Sequence, residues 1–155
     1  MIQRIQTLFL LLAAGCISAM FCFNIASFVD GNGAVYELIF NKLQIIENGK
    51  AVVMQNLLTL TIALCITVLA LMVTVFLYKK RQLQMRICRL IIIMLVLIEG
   101  ILVYYFFLIK GNLTGCIASP GLSFILPIIA GIFTYLAHWS INKDDILVRS
   151  FSRIR

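Results

Sequence analysis

The residue with the most chemical potential is a carboxylic acid in a place where acids are scarce. Glu99 stands in Ile98-Glu99-Gly100, in the middle of an apolar run from Leu90 to Ile109 that holds no other charge. A carboxylate at the centre of a bilayer costs on the order of 3 kcal/mol on insertion scales, and more by other estimates. The expected species is therefore a neutral carboxyl that donates a hydrogen bond. By depth, its candidate partners are Thr67, Ser18 and the backbone opened near Gly131, and no basic residue lies at its level. Such a group would either carry a proton or bind a substrate inside the protein, or lock helix packing or a dimer contact. Packing is the preferred reading, because transport generally needs several polar groups and a larger bundle.

Few other residues offer chemistry. His138 has no histidine, cysteine or carboxylate three or four positions away, so it is not expected to bind a metal. Beside Trp139 it reads as an interfacial residue in an aromatic belt. The five cysteines, Cys16, Cys22, Cys65, Cys88 and Cys116, form no CxxC pair, and three lie in apolar runs as small packing residues. A Cys22–Cys116 disulfide is left open by their shared side of the membrane, but free thiols are preferred. Leu12-Ala13-Ala14-Gly15-Cys16 mimics a lipoprotein cleavage site, yet the apolar run continues through Phe23, which favours an uncleaved span. Asn112-Leu113-Thr114 fits a glycosylation tripeptide and is read as turn chemistry. Gly31-Asn32-Gly33 is a turn, since no basic helix follows it. No P-loop, GxGxxG, GxSxG or HExxH is present. The expectation is a protein that is not an enzyme and carries no cofactor or metal.

The elements that must position Glu99 are greasy. Of 155 residues, 63% are hydrophobic and 12% charged, which no soluble domain of this size could bury. Apolar stretches cover about 5–28, 57–78, 90–109 and 122–141. Each is long enough to cross ~30 Å of hydrocarbon as a helix. The net charge of +7 reflects orientation in a membrane rather than affinity for nucleic acid. Arg4, the loop residues Lys79, Lys80, Arg81, Arg86 and Arg89, and the tail residues Lys143, Arg149, Arg153 and Arg155 fall on one side; only Lys42, Lys50 and Lys110 fall on the other. The positive-inside rule places both termini and the 79–89 loop in the cytoplasm. The location expected is a bacterial inner membrane.

In the outer loop, 29–56, Val35 to Phe40 is rich in β-formers. Leu43 to Ile46 and Ala51 to Met54 flank Asn48-Gly49, a strong hairpin signal. A small antiparallel sheet on the outer face follows. The second outer loop, 110–121, is short. In the tail, 142–155, Leu147, Phe151 and Ile154 recur at helical spacing, which predicts either a short interfacial helix or a solvated tail. Small residues mark the expected contact faces: Gly15, Ser18, Ala19, Cys22 and Ala26; Thr59, Ala63, Thr67, Ala70 and Thr74; and Ala130, Gly131, Thr134 and Ala137. The fold class expected is an all-α membrane protein. It would be a four-transmembrane-helix bundle in one domain, 1–155, with a small sheet in the first outer loop.

Three stretches also resemble a known family. They are Met1-Ile2-Gln3-Arg4-Ile5-Gln6-Thr7 followed by Leu10-Leu11-Leu12-Ala13-Ala14, then Tyr78-Lys79-Lys80-Arg81-Gln82-Leu83-Gln84, and Lys143-Asp144-Asp145 followed by Leu147-Val148-Arg149-Ser150 and Arg153-Ile154-Arg155. In this order they look like an uncharacterised four-span membrane family of Bacteroidota, domain of unknown function 4293. The resemblance implies an inner-membrane protein and brings no catalytic residue with it. All three stretches fall on the cytoplasmic side, so Arg4, Lys79, Lys80, Arg81, Arg149, Arg153 and Arg155 are read either as topology anchors or as a basic surface for anionic lipid headgroups or a partner. The leading expectation is a scaffold, accessory or assembly protein acting through contacts with the bilayer and with a membrane-protein partner or a second copy. The runner-up is a small carrier or proton-coupled transporter that uses Glu99.

Overall fold

The computed structural model of the chain describes residues 2–31, 34–47, 50–77, 80–113 and 116–152. Four helices carry most of it: α1 (Ile2–Ala19), α2 (Leu58–Phe76), α3 (Arg81–Asn112) and α4 (Leu126–Ser152). Five strands complete it: β1 (Ala26–Val29), β2 (Val35–Leu38), β3 (Lys42–Glu47), β4 (Lys50–Asn56) and β5 (Ile117–Pro120). The helices form a ring in which α1 and α3 each pack on both α2 and α4.

One stripe of each helix turns inward, at the three- and four-residue spacing of an α-helix. On α3 it is Cys88, Ile91, Leu95, Ile98 and Leu102; on α2 it is Leu60, Leu64, Thr67, Leu71 and Thr74. The fourth helix contributes Ala130, Thr134, Ala137 and Ile141. Large apolar side chains cover the outside as well. Leu69, Leu90, Val96 and Ile132 are all more than half exposed. Bulky apolar side chains thus lie both inside and outside the ring, the all-round hydrophobicity of helices surrounded by apolar material. Three helical segments, Leu58–Phe76, Arg81–Asn112 and Leu122–Asp144, are long and apolar enough to cross a membrane; the apolar part of α1, Ile5–Ala19, is shorter.

The expectation of an all-α four-span bundle is overturned by the sheet. Its order is β4-β3-β2-β1-β5, antiparallel throughout, so both outer loops build it. The first apolar run does not continue as helix to Phe28. The helix ends at Ala19, and Ala26–Val29 becomes the strand between β2 and β5. Hydrophobicity alone cannot separate a helix end from a strand buried between neighbours. The second outer loop also holds a strand that was not expected, Ile117–Pro120, paired with β1. The strands expected in the first loop stand as β2, β3 and β4; the Asn48-Gly49 turn and Thr114 lie outside the described residues.

The sheet sits on the helix ends through aromatic contacts and one close backbone approach. Phe28 of β1 is fully buried, with Phe106 of α3 at 5.3 Å between ring centroids, and Phe106 meets Phe124 at 5.6 Å. The Gly121 N–H donates to the Ile25 carbonyl at 2.9 Å. A Cβ at Gly121 would lie 2.6 Å from the Asn24 carbonyl oxygen, so only glycine lets these two chain segments meet.

Helix ends differ from expectation in two further places. Most of the basic loop is helix, since α3 begins at Arg81 and extends ~48 Å by its 32 residues. The tail is not a separate interfacial helix either. It continues α4 without a break to Ser152, because nothing at Asn142 stops the helix and Asp144 is buried against α1. The inward stripe of α1 also differs. Ala13, Ala14 and Ile17 face the core, whereas Gly15 and Cys22 are exposed.

Candidate functional site

Glu99 follows Ile98, which is on the inward stripe of α3, and so it is rotated by about 100° from the core. It faces a groove of about 620 Å³ between α3 and α4, bordered by Gly100, Val103, Pro127, Gly131 and Tyr135. This groove is on the outside of the ring. The carboxyl is half-buried there, and its Oε2 has no hydrogen-bond partner among the described residues.

Of the partners foreseen for Glu99, the structure brings only Gly131 to it. Thr67 is buried on α2, and its hydroxyl donates to the Ala63 carbonyl of its own helix at 2.7 Å. Thr74 and Thr134 do the same to Ala70 and Ala130. Each hydroxyl thus spends its one proton within its own helix and keeps only its acceptor lone pairs. Ser18 is half-buried on α1, which packs on α2 and α4 rather than α3.

A second, polar recess continues the same α3–α4 seam at the basic end of the ring. Gln82, Met85, Arg86 and Arg89 of α3 meet His138 and Asn142 of α4 around about 410 Å³. The four α3 residues recur at spacings of three and four, and α4 runs antiparallel, so His138 and Asn142 land opposite them. His138 Nδ1 is buried without a partner among the described residues, and Arg89 borders the same recess. Among the described residues no carboxylate lines this recess. In the sequence Arg86 and Arg89 stand out only as loop charges and His138 as a lone belt residue. Their helical spacing was the signal that joins them.

Two of the three family-like stretches also meet at this end. The buried Gln6 side-chain amide donates to the Asp144 carboxylate, joining residues 138 positions apart. Gln84 donates to the Thr74 carbonyl at 3.3 Å, and so closes α3 onto α2 at the same level. Lys143 places its ammonium 5.6 Å from the Trp139 ring centroid, within reach of a cation–π attraction. The expected basic surface is only partly visible. Lys80 is exposed and Arg81 half-buried at the start of α3. Arg4 and Arg149 belong to the first turn of α1 and the last turns of α4, and Lys79, Arg153 and Arg155 lie outside the described residues.

All five cysteines are free thiols, Cys22 and Cys116 included. Among the described residues no group of three or more metal-binding side chains occurs.

The family defined as domain of unknown function 4293 (DUF4293) matches residues 2–154 of the chain. The chain belongs to that family. No curated protein matches it. The match to DUF4293 takes in all four helices and all five strands, so both the sheet and the α3–α4 seam lie inside the family's own boundaries.

Proposed function

We propose that this DUF4293 protein is a non-enzymatic accessory or assembly subunit of a bacterial inner membrane, acting by contact with a second membrane protein or a second copy of itself. The observation that carries this reading is the open edge of the sheet. Among the described residues β4 has β3 on one side and no strand on the other. Along it Val52, Val53 and Met54 are about half exposed or more, with alternate side chains on opposite faces. A long apolar edge strand is a template for another chain, and proteins that do not use such an edge usually blunt it with charge or proline.

In the proposed orientation both termini and the turn from α2 to α3 are cytoplasmic, and the sheet is on the outer face. Ten of the thirteen lysines and arginines support this. It requires α1 to cross as well. Gln6 pairs with Asp144, and the segment after α1 pairs with Gly121, so the first helix and its following turn cover the same height as the apolar segment Leu122–Asp144.

A photo-crosslinking residue at Val53 tests the contact reading. The expected result is one recurrent adduct, which disappears when Met54 is changed to lysine. Adducts that are absent, or indifferent to Met54→Lys, would remove it. The second reading, a small proton-coupled carrier, is favoured by one observation, the unpartnered Glu99 Oε2 in its groove. There Glu99→Gln would abolish uptake in proteoliposomes while the protein stays folded. Equal behaviour of the two forms makes Glu99 structural.

A further inference from the structure

The apolar groove at Glu99 and the polar recess at Arg86 and Arg89 share one seam, and their chemistry changes along it in the order of a lipid. Descending α3 from Glu99, the groove is lined by Val96 and Ile92, and then the recess by Arg89 and Arg86. On α4 the matching order is Ile132, Tyr135, His138 and Asn142. Ten residues separate Arg89 from Glu99, about 15 Å at the helical rise. That is half of the ~30 Å hydrocarbon thickness, or one leaflet.

We infer that this seam is a binding site for one anionic phospholipid of the leaflet on the basic side. The phosphate sits between the guanidinium groups of Arg86 and Arg89, with Gln82 and Asn142 as neutral donors beside it. One acyl chain lies along Ile92, Val96 and Ile132 and ends at the level of Glu99. Two guanidinium groups, with no carboxylate among the described lining residues, select a negative headgroup. The exposed apolar groove next to it selects a lipid over free phosphate. The inference rests on the membrane orientation proposed above but not on a protein partner.

Native mass spectrometry of the purified full-length protein, titrated with phosphatidylglycerol or phosphatidylcholine, tests it. One phosphatidylglycerol should be retained about tenfold more tightly than phosphatidylcholine. The Arg86→Gln/Arg89→Gln variant should lose that preference, and Lys80→Gln/Arg81→Gln should keep it. Excess inorganic phosphate should leave the lipid bound. Equal retention of both lipids, equal loss in the two double variants, or displacement by inorganic phosphate would each overturn the site. Should Arg86→Gln/Arg89→Gln fail to fold, Ile132→Trp fills the chain groove and leaves the arginines in place. It should weaken retention several-fold, and unchanged retention would overturn the placement of the chain. Val53→Lys, which breaks the proposed protein contact, should leave lipid binding intact, so the two readings fail separately.

Discussion

The two ends of the helix ring are held by different physics. At the sheet end, backbone hydrogen bonds across five strands and the rings of Phe28, Phe106 and Phe124 tie both connecting loops into one cap. At the basic end there is no sheet among the described residues. Side chains do the joining there, through Gln6 to Asp144 and Gln84 to the Thr74 carbonyl. Backbone pairing tolerates most side-chain changes, whereas a buried side-chain pair fails when either member is removed. The difference teaches where each end is sensitive: the cap at its packing anchors, the basic end at single polar atoms.

The largest effect is expected where the cap meets the helices. Phe28→Ala should cost about 3–5 kcal/mol of stability, measured by unfolding in mild detergent, because a fully buried ring leaves a cavity. Asp144→Ala should cost about 1–3 kcal/mol by leaving the Gln6 amide buried without its acceptor. Lys143→Ala, one residue away and exposed, should change stability far less. Gly121→Ala should cost a similar ~1–3 kcal/mol through overlap with the Asn24 carbonyl, while Gly111→Ala, with open space around its Cβ, should be neutral or slightly stabilising. A small effect is also expected at the seam: Glu99→Gln should shift stability by less than about 0.5 kcal/mol, since the carboxyl oxygen Oε2 has no partner to lose among the described residues. A large loss on Glu99→Gln would blur the contrast between a packed ring and an open seam.

What the sequence made legible follows the range of the forces involved. The cores of all four helices and of strands β2, β3 and β4 could be read from local patterns, namely apolar runs and β-rich segments around an Asn-Gly pair. β1 could not, because it is the tail of an apolar run that looks like one long span. β5 could not, because Ile117-Ala118-Ser119-Pro120 carries little β signal and becomes a strand only by meeting β1, some ninety residues earlier. Glu99 could be placed by depth but not by direction, since one residue of phase separates the core from the groove. Gln6 and Asp144 were read only as parts of family-like stretches. Their pairing spans nearly the whole chain, and no local pattern announces it. Arg86 and Arg89 weigh in the sequence as charges for orientation, while their spacing with Gln82 and Met85 marks one helical face.

The most direct test of the account is the side of the membrane on which each end stands. A phosphatase reporter inserted between β3 and β4 is expected to be active in intact cells, and the same reporter after Arg155 silent, with a fluorescent protein there glowing instead. An exported C-terminus, or release of the protein from membranes by carbonate, would contradict it.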